Sequence, residues 1–176
     1  PNNPKESRAY STDGDAILGN VSAPLRIVEF SDFECEYSRE ESFIIREMQA
    51  RFPEKIYFIY RDFPISEVHP NAYLAAEAGK CANEQGKFWA MHDKIFQNQN
   101  KLAVANLKLW AVQSGIDAVK FNDCLDTHKN KAQVQKDKTD GIAAGVYGTP
   151  TFFINGRRVP GAITREMWLN LLSAHK

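Results

Sequence analysis

No stretch of this 176-residue chain approaches the ~20 consecutive apolar residues that a membrane-crossing helix needs. The first residues, PNNPKESRAYSTDGD, lack the basic and apolar segments of a secretory signal. Net charge is missing too: 22 Lys and Arg balance 22 Asp and Glu, so no overall field draws the chain to nucleic acid, an anionic membrane or an acidic ligand. A soluble chain that binds no nucleic acid is expected. No internal repeat or low-complexity tract is present. The histidines His69, His92, His128 and His175 are dispersed, and neither Cys81 nor Cys124 has a second ligand at zinc-site spacing, so no metal and no cofactor is expected. Cysteine itself is scarce and odd in number. Three thiols fit one reactive cysteine plus one bridge in an oxidising compartment, or three reduced thiols in the cytosol. Because Pro1 stands where Met would begin a translated chain, a leader or anchor removed ahead of it is one expectation, and a trimmed cytosolic chain is the other.

What is present describes one well-filled domain with room for an insertion, since 43% of residues are hydrophobic and 25% charged. Residues 1–15 are polar, carry Pro1, Pro4 and Gly14, and show no apolar period, so they read as a flexible tail. PLRIVEFSDF (Pro24 to Phe33) reads as a buried central strand. From Glu36 to Phe52 the apolar period becomes helical, with Ile44, Ile45, Met48 and Phe52 on one stripe that Pro53 ends. KIYFIYRDFP (Lys55 to Pro64) is a second strand, which makes the first unit βαβ with parallel strands. Between His69 and about Val146 only helical segments appear, at 71–84, 87–97, 103–114, 117–126 and 129–144. Strands then return at Thr151 to Ile154 and Arg157 to Val159 around the turn Asn155-Gly156. A last helix begins at Thr164 as N-cap, with Ile163 stapled to Trp168, and buries Trp168, Leu171 and Leu172. The fold class is therefore α/β, with residues 67–144 as a helical insertion between a main unit made of 16–66 and 145–176.

The chemistry centres on SDFECEYSREE, residues 31–41. A thiol attacks only as thiolate, and a helix N-terminus stabilises that anion through free backbone N–H groups and the positive end of the macrodipole. Cys35 falls at such a position, between strand and helix, where the carboxylates of Glu34 and Glu36 oppose the effect if they lie close. The alternative is that Cys35 is a small buried hydrophobe. Glu29, an acid inside the apolar run RIVEF, favours chemistry: six residues before Cys35, it is placed to lie beneath the thiol as a proton acceptor. An outward position on an exposed strand face is its other reading.

Three ordered motifs, GN..AP..IVEFSDFEC, GKFWAMHDKIF and GTPTFFING, resemble those of the DsbA-like thioredoxin-fold family of extracytoplasmic thiol-disulfide oxidoreductases, over Ile17 to Leu172. The resemblance implies a thioredoxin fold with a helical insertion, which agrees with the element order above. It implies that Cys35 is the attacking cysteine, Glu29 the buried acid beneath it, and Thr149-Pro150 the threonine and cis-proline facing the sulfur. An ordinary trans proline leading into a strand is the reading of Thr149-Pro150 without that context. Phe33, Tyr37 and Thr149 are then expected to line a groove for extended, unfolded chain. Some members carry a second, non-catalytic bridge, which here would join Cys81 and Cys124. Two separate buried thiols remain the alternative. Phe88, Trp89 and Phe96 read as core or groove lining, and His92 as a partly buried, hydrogen-bonded histidine.

The chain departs from the family at Cys35-Glu36-Tyr37-Ser38, where Ser38 replaces the resolving cysteine of Cys-x-x-Cys. A hydroxyl cannot accept or return a disulfide, so a mixed disulfide formed at Cys35 would wait for an external thiol. Ser38 is then either a substitution for cysteine that traps the intermediate, which the otherwise intact pattern favours, or the mark of a natural monothiol enzyme. The expected activity is thiol-disulfide exchange on reduced or unfolded exported polypeptides, in a periplasmic or cell-surface location. A quinone-linked membrane thiol oxidase of the DsbB or VKOR kind would reoxidise a dithiol form. A monothiol reductase or isomerase, a glutathione-dependent transferase, and a non-catalytic peptide-binding or chaperone module are the competing readings.

Overall fold

Runs of β-branched and aromatic residues set the sheet. In the computed structural model, which describes residues 14–174, LRIVEFS forms β2 (Leu25–Ser31), buried at every position but Arg26. Its side chains alternate between two faces, as a strand requires. Helix α1 (Glu36–Arg51) follows, then β3 (Ile56–Asp62), which pairs with β2 in parallel register, Glu29 beside Tyr60. Five helices come next: α2 (Ala72–Asn83), α3 (Phe88–Gln97), α4 (Val104–Gln113), α5 (Ala118–Asp126) and α6 (Lys131–Ala143). β4 (Thr151–Ile154) and β5 (Arg157–Pro160) form a hairpin around Asn155-Gly156, and both turn residues have positive φ. Helix α7 (Arg165–Ala174) closes the described chain, with the Met167 N–H donating to Thr164 Oγ1. Together these elements form the mixed α/β thioredoxin-like fold with its helical insertion.

One strand was not legible in advance. β1 (Ala16–Gly19) pairs antiparallel with β3 and completes a five-stranded sheet in the order β1-β3-β2-β4-β5. Four residues carry too little period to declare a strand, and it is pairing with β3 that defines this one. The expected tail lies outside the described residues from 1 to 13. Its last residue, Asp15, is not free chain: it is buried and meets Arg61 Nε at 3.1 Å and Lys80 Nζ at 3.2 Å. Arg61 also meets Asp137 at 2.7 Å and Asp140 at 2.8 Å, while Lys80 meets Asp137 at 2.7 Å and Asp62 at 3.4 Å. This buried ion network ties the start of β1 to β3, α2 and α6. Removing one partner would strand charge in a poorly solvated interior.

The core lies on both faces of the sheet. On one face Ile27, Phe58, Tyr60 and Phe152 pack with Ile45 and Met48 of α1, Trp168 and Leu172 of α7, and the apolar sides of α2 to α5. The insertion therefore shares its core with the sheet. On the other face Val28, Phe30, Ile59, Phe63, Val146 and Phe153 make a smaller cluster. Gly141 of α6 lies over that cluster, so close that a Cβ built on it would be 2.7 Å from the Phe63 ring.

Candidate active site

The cysteine loop is held from three sides. Asp32, the first residue after β2, turns the chain through its own side chain: Oδ1 accepts from Glu34 N at 2.7 Å. This is an Asx turn, a conformation that Asp favours. Its Oδ2 accepts from Ile65 N at 2.8 Å and pairs with His69 Nδ1 at 2.9 Å. Glu34 faces away from the thiol in hydrogen-bonding terms, since its carboxylate takes the backbone N–H of Asn71 at 2.7 Å and the Asn71 amide at 2.8 Å. From the third side Gln99 Nε2 donates to the carbonyls of Phe33 (3.0 Å) and Cys35 (2.8 Å). The loop is thus pinned to the entry and to the α3–α4 connection of the insertion. Of these residues only Asp32 had a sequence signal, an acid at a turn; Asn71 and Gln99 act over separations of 37 and 64 residues.

Cys35 is the N-cap of α1, with extended backbone, and its side chain caps nothing. Its sulfur donates instead to the carbonyl of Thr149, 3.2 Å away, and the following Thr149-Pro150 peptide bond is cis. Cys35 is 6% exposed and is the free cysteine among the described residues, because Cys81 and Cys124 are joined in a disulfide. Ser38 lies one turn along α1 and fully buried, its Oγ 3.4 Å from Asp32 N. The Thr149 hydroxyl is buried without a hydrogen-bond partner.

Glu29 sits on β2 between β3 and β4, opposite Tyr60 and Phe152. It is buried, and one carboxyl oxygen has no partner. Burial pushes its pKa up to about 8, the Ser31 hydroxyl acts the other way, and the charge of Glu41 adds to the rise. Burial thus favours the protonated form of Glu29, which works against its acting as a ready proton acceptor. Glu41, which sequence reading passed over, is a second buried acid, raised to about 7 by burial. Trp168 Nε1 donates to it at 3.0 Å, and so does the backbone N–H of Ile163.

The groove expectation divides. Tyr37, in the first turn of α1, is 55% exposed, and the Thr149 carbonyl meets the sulfur. Phe33 does not belong to a groove. It is 1% exposed, stacked on Tyr60 at 5.3 Å and surrounded by Phe88, His92 and Phe96, because its apolar ring gains more from the aromatic core than from the surface. His92 is fully enclosed in that layer and pairs with Asp93 at 2.9 Å; burial lowers its pKa.

A family model described as thioredoxin matches residues 11–174. The chain belongs to this thioredoxin family. Among curated proteins it is 36% identical over 154 residues to the Na(+)/H(+) antiporter NhaA 1 of Salinispora arenicola and 35% identical over 156 residues to NhaA 1 of Mycolicibacterium vanbaalenii, with 88% of this chain covered each time. The chain spans about a quarter of the length of these relatives (24% and 25%). Solved structures share its fold. A thioredoxin-like oxidoreductase from Silicibacter pomeroyi superposes with a TM-score of 0.81 at 22% identity, covering 98% of this chain and 97% of the other. BdbD from Bacillus subtilis reaches 0.80 at 21% identity and 94% of each chain. The thiol-disulfide exchange protein alpha-DsbA2 from Wolbachia pipientis reaches 0.80 at 20% identity and 99% of each.

Proposed function

We propose that this member of the thioredoxin family is a thiol-disulfide oxidoreductase acting on exported polypeptides, with Cys35 as nucleophile. The observation that carries the reading is the Cys35 sulfur at the start of α1, 3.2 Å from the Thr149 carbonyl. The structural likeness to BdbD and alpha-DsbA2, the second named as a thiol-disulfide exchange protein, supports the same class. The Cys35 thiolate attacks one sulfur of a substrate disulfide. A new S–S bond forms, the old one breaks, and the departing thiolate takes up a proton. Glu29, whose burial favours its protonated form, is assigned the handling of protons inside the site.

Ser38 cannot carry out the second exchange, so in this chain the mixed disulfide persists until an external thiol attacks it. We read Ser38 as standing in the place of a resolving cysteine: it is buried in the first turn of α1, three residues after Cys35, the spacing of a Cys-x-x-Cys pair. The Cys81–Cys124 bridge supports an oxidising, extracytoplasmic location. There a quinone-linked membrane thiol oxidase would serve a dithiol form. Ion transport is not part of the proposal, because the relatives named as antiporters are matched over only about a quarter of their length.

The test is oxidative refolding of a reduced, disulfide-containing substrate with glutathione disulfide as terminal oxidant. Ser38→Cys should accelerate refolding markedly, while the Ser38 protein should do little and should accumulate a mixed disulfide when offered an oxidised substrate. If Ser38→Cys forms no bridge, or the Ser38 protein turns over as fast with glutathione alone, the site is a monothiol one and Ser38 is its native chemistry.

A further inference from the structure

The backbone that meets the Cys35 sulfur also forms the wall of a cavity. A space of about 230 Å³ is bounded by Tyr147, Thr149, Pro150, Arg158, Pro160 and Gly161, with Gly145 and Gly148 adding no side chain to fill it. Drug-sized ligands and cofactors occupy ~300–1,000 Å³, so this volume suits one or two amino-acid side chains. Among the described residues, Arg158 is the one charged residue in the lining, which contains no acid to neutralise it. Its guanidinium is oriented rather than loose: Nη1 donates to the Gly145 carbonyl, and Cζ lies 5.8 Å from the centroid of the Tyr147 ring, which is itself 88% exposed. A guanidinium carries five N–H donors, and the bond to Gly145 uses one. Arg157, next along β5, pairs with Ile154 where Arg158 pairs with Phe153, and successive strand residues point to opposite faces. Arg157 does not line the cavity.

We propose that this cavity is a specificity subsite for the residues flanking a substrate's cysteine, and that Arg158 makes it select an acidic side chain there. The inference rests on the exchange reading above. Residues one to three places from a cysteine bonded to Cys35 lie within ~4–11 Å of it along an extended chain, and Pro150 directly follows the carbonyl that the sulfur meets. The cavity shares Thr149 and Pro150 with the backbone that meets the sulfur, which puts its opening within the span of such residues in this reading. An aspartate or glutamate there gains a charge-assisted hydrogen bond to Arg158 beside an aromatic wall, a lysine meets like charge, and a neutral side chain gains only contact.

The experiment uses short cysteine peptides, each activated as the mixed disulfide with thionitrobenzoate, with Glu, Gln or Lys placed in turn one to three residues on either side of the cysteine. Cys35 thiolate attacks the peptide sulfur, a peptide–Cys35 disulfide forms, and thionitrobenzoate leaves with the electron pair and is read by its absorbance. At one flanking position, Glu should react about fivefold faster than Lys, the factor expected of a partly exposed ion pair, with Gln between. Arg158→Gln should abolish the ranking, Arg158→Glu should invert it, and Arg157→Gln should leave it intact. Alkylation of Cys35 by uncharged iodoacetamide should proceed at one rate in all four proteins, which reports folding and thiol integrity. Equal rates for all peptides, or loss of the ranking in Arg157→Gln as well, would overturn the subsite while leaving exchange standing. If iodoacetamide modifies Cys35 but no activated peptide does, the exchange reading fails, and the subsite with it.

Discussion

Single residues in this protein are governed by how much water their charge keeps. Glu29 is flanked by Val28 and Phe30, and its strand is paired on both sides, so its carboxylate is dehydrated and its pKa rises from 4.5 to about 8. A carboxyl that binds its proton more tightly folded than unfolded contributes most stability below its unfolded value. That contribution is lost as pH rises toward the folded value, here between about 4.5 and 8, by up to about 1.4 kcal/mol per pH unit. Glu29→Gln removes the ionisable group. The variant should gain melting temperature over the parent at pH 8.5 and gain little at pH 5, as read by circular dichroism at both values. Equal differences at the two pH values would mean that Glu29 ionises in contact with water. The burial of Glu29 was legible in RIVEF, where apolar neighbours announce a core strand. The burial of Glu41 was not: its neighbours in REESF are polar, and the groups that enclose it, Ile163 and Trp168, come from more than 120 residues away.

Among the elements, α6 shows packing overriding local preference. Its sequence KAQVQKDKTDGIA is polar, and only Val134, Asp137 and Gly141 are buried. Gly141 lies in the last turn of α6, where Ala would be favoured by at most ~1 kcal/mol on propensity alone. An added Cβ, however, would be 2.7 Å from the Phe63 ring and 3.0 Å from that of Phe30, both buried against the sheet. Overpacking of this kind costs ~1–3 kcal/mol, so the steric term wins. Gly141→Ala should be less stable by about 1 kcal/mol in urea titration with an unchanged slope. A more stable variant would mean that the rings yield freely and that α6 is only loosely held. The positions of α1 to α7 followed from apolar period and caps, and their observed bounds differ from the expected ones by a residue or two. β1 was missed because its four residues become a strand only against β3.

At the scale of the whole molecule the Cys81–Cys124 bridge links α2 to α5 across 43 residues of sequence. Closing a loop of that length removes unfolded-state entropy worth about 4 kcal/mol in the chain-entropy model. Double replacement, Cys81→Ala with Cys124→Ala, should lower the melting temperature by about 10 °C for a chain of this size, measured by calorimetry under non-reducing conditions. A fall below about 2 °C would show that side-chain packing alone carries the insertion. That packing is extensive, since Cys81 and Cys124 sit inside the same apolar cluster that reaches Phe33 and Tyr60 of the sheet half.

Periodicity and turn chemistry are properties of neighbouring residues, and for that reason the chain itself determined its βαβ start, helical middle, hairpin and final helix. The same local reading placed Cys35 between strand and helix and Glu29 in a core strand. Tertiary structure alone decided which groups meet across long separations. It brought the Thr149 carbonyl to the Cys35 sulfur, 114 residues away, and Gln99 to the loop backbone. It drew Phe33 into the aromatic layer instead of a groove, and gathered Asp15, Arg61, Lys80 and Asp137 into one buried network. Each of these contacts depends on desolvation and close packing, which act on groups that only the folded chain makes neighbours.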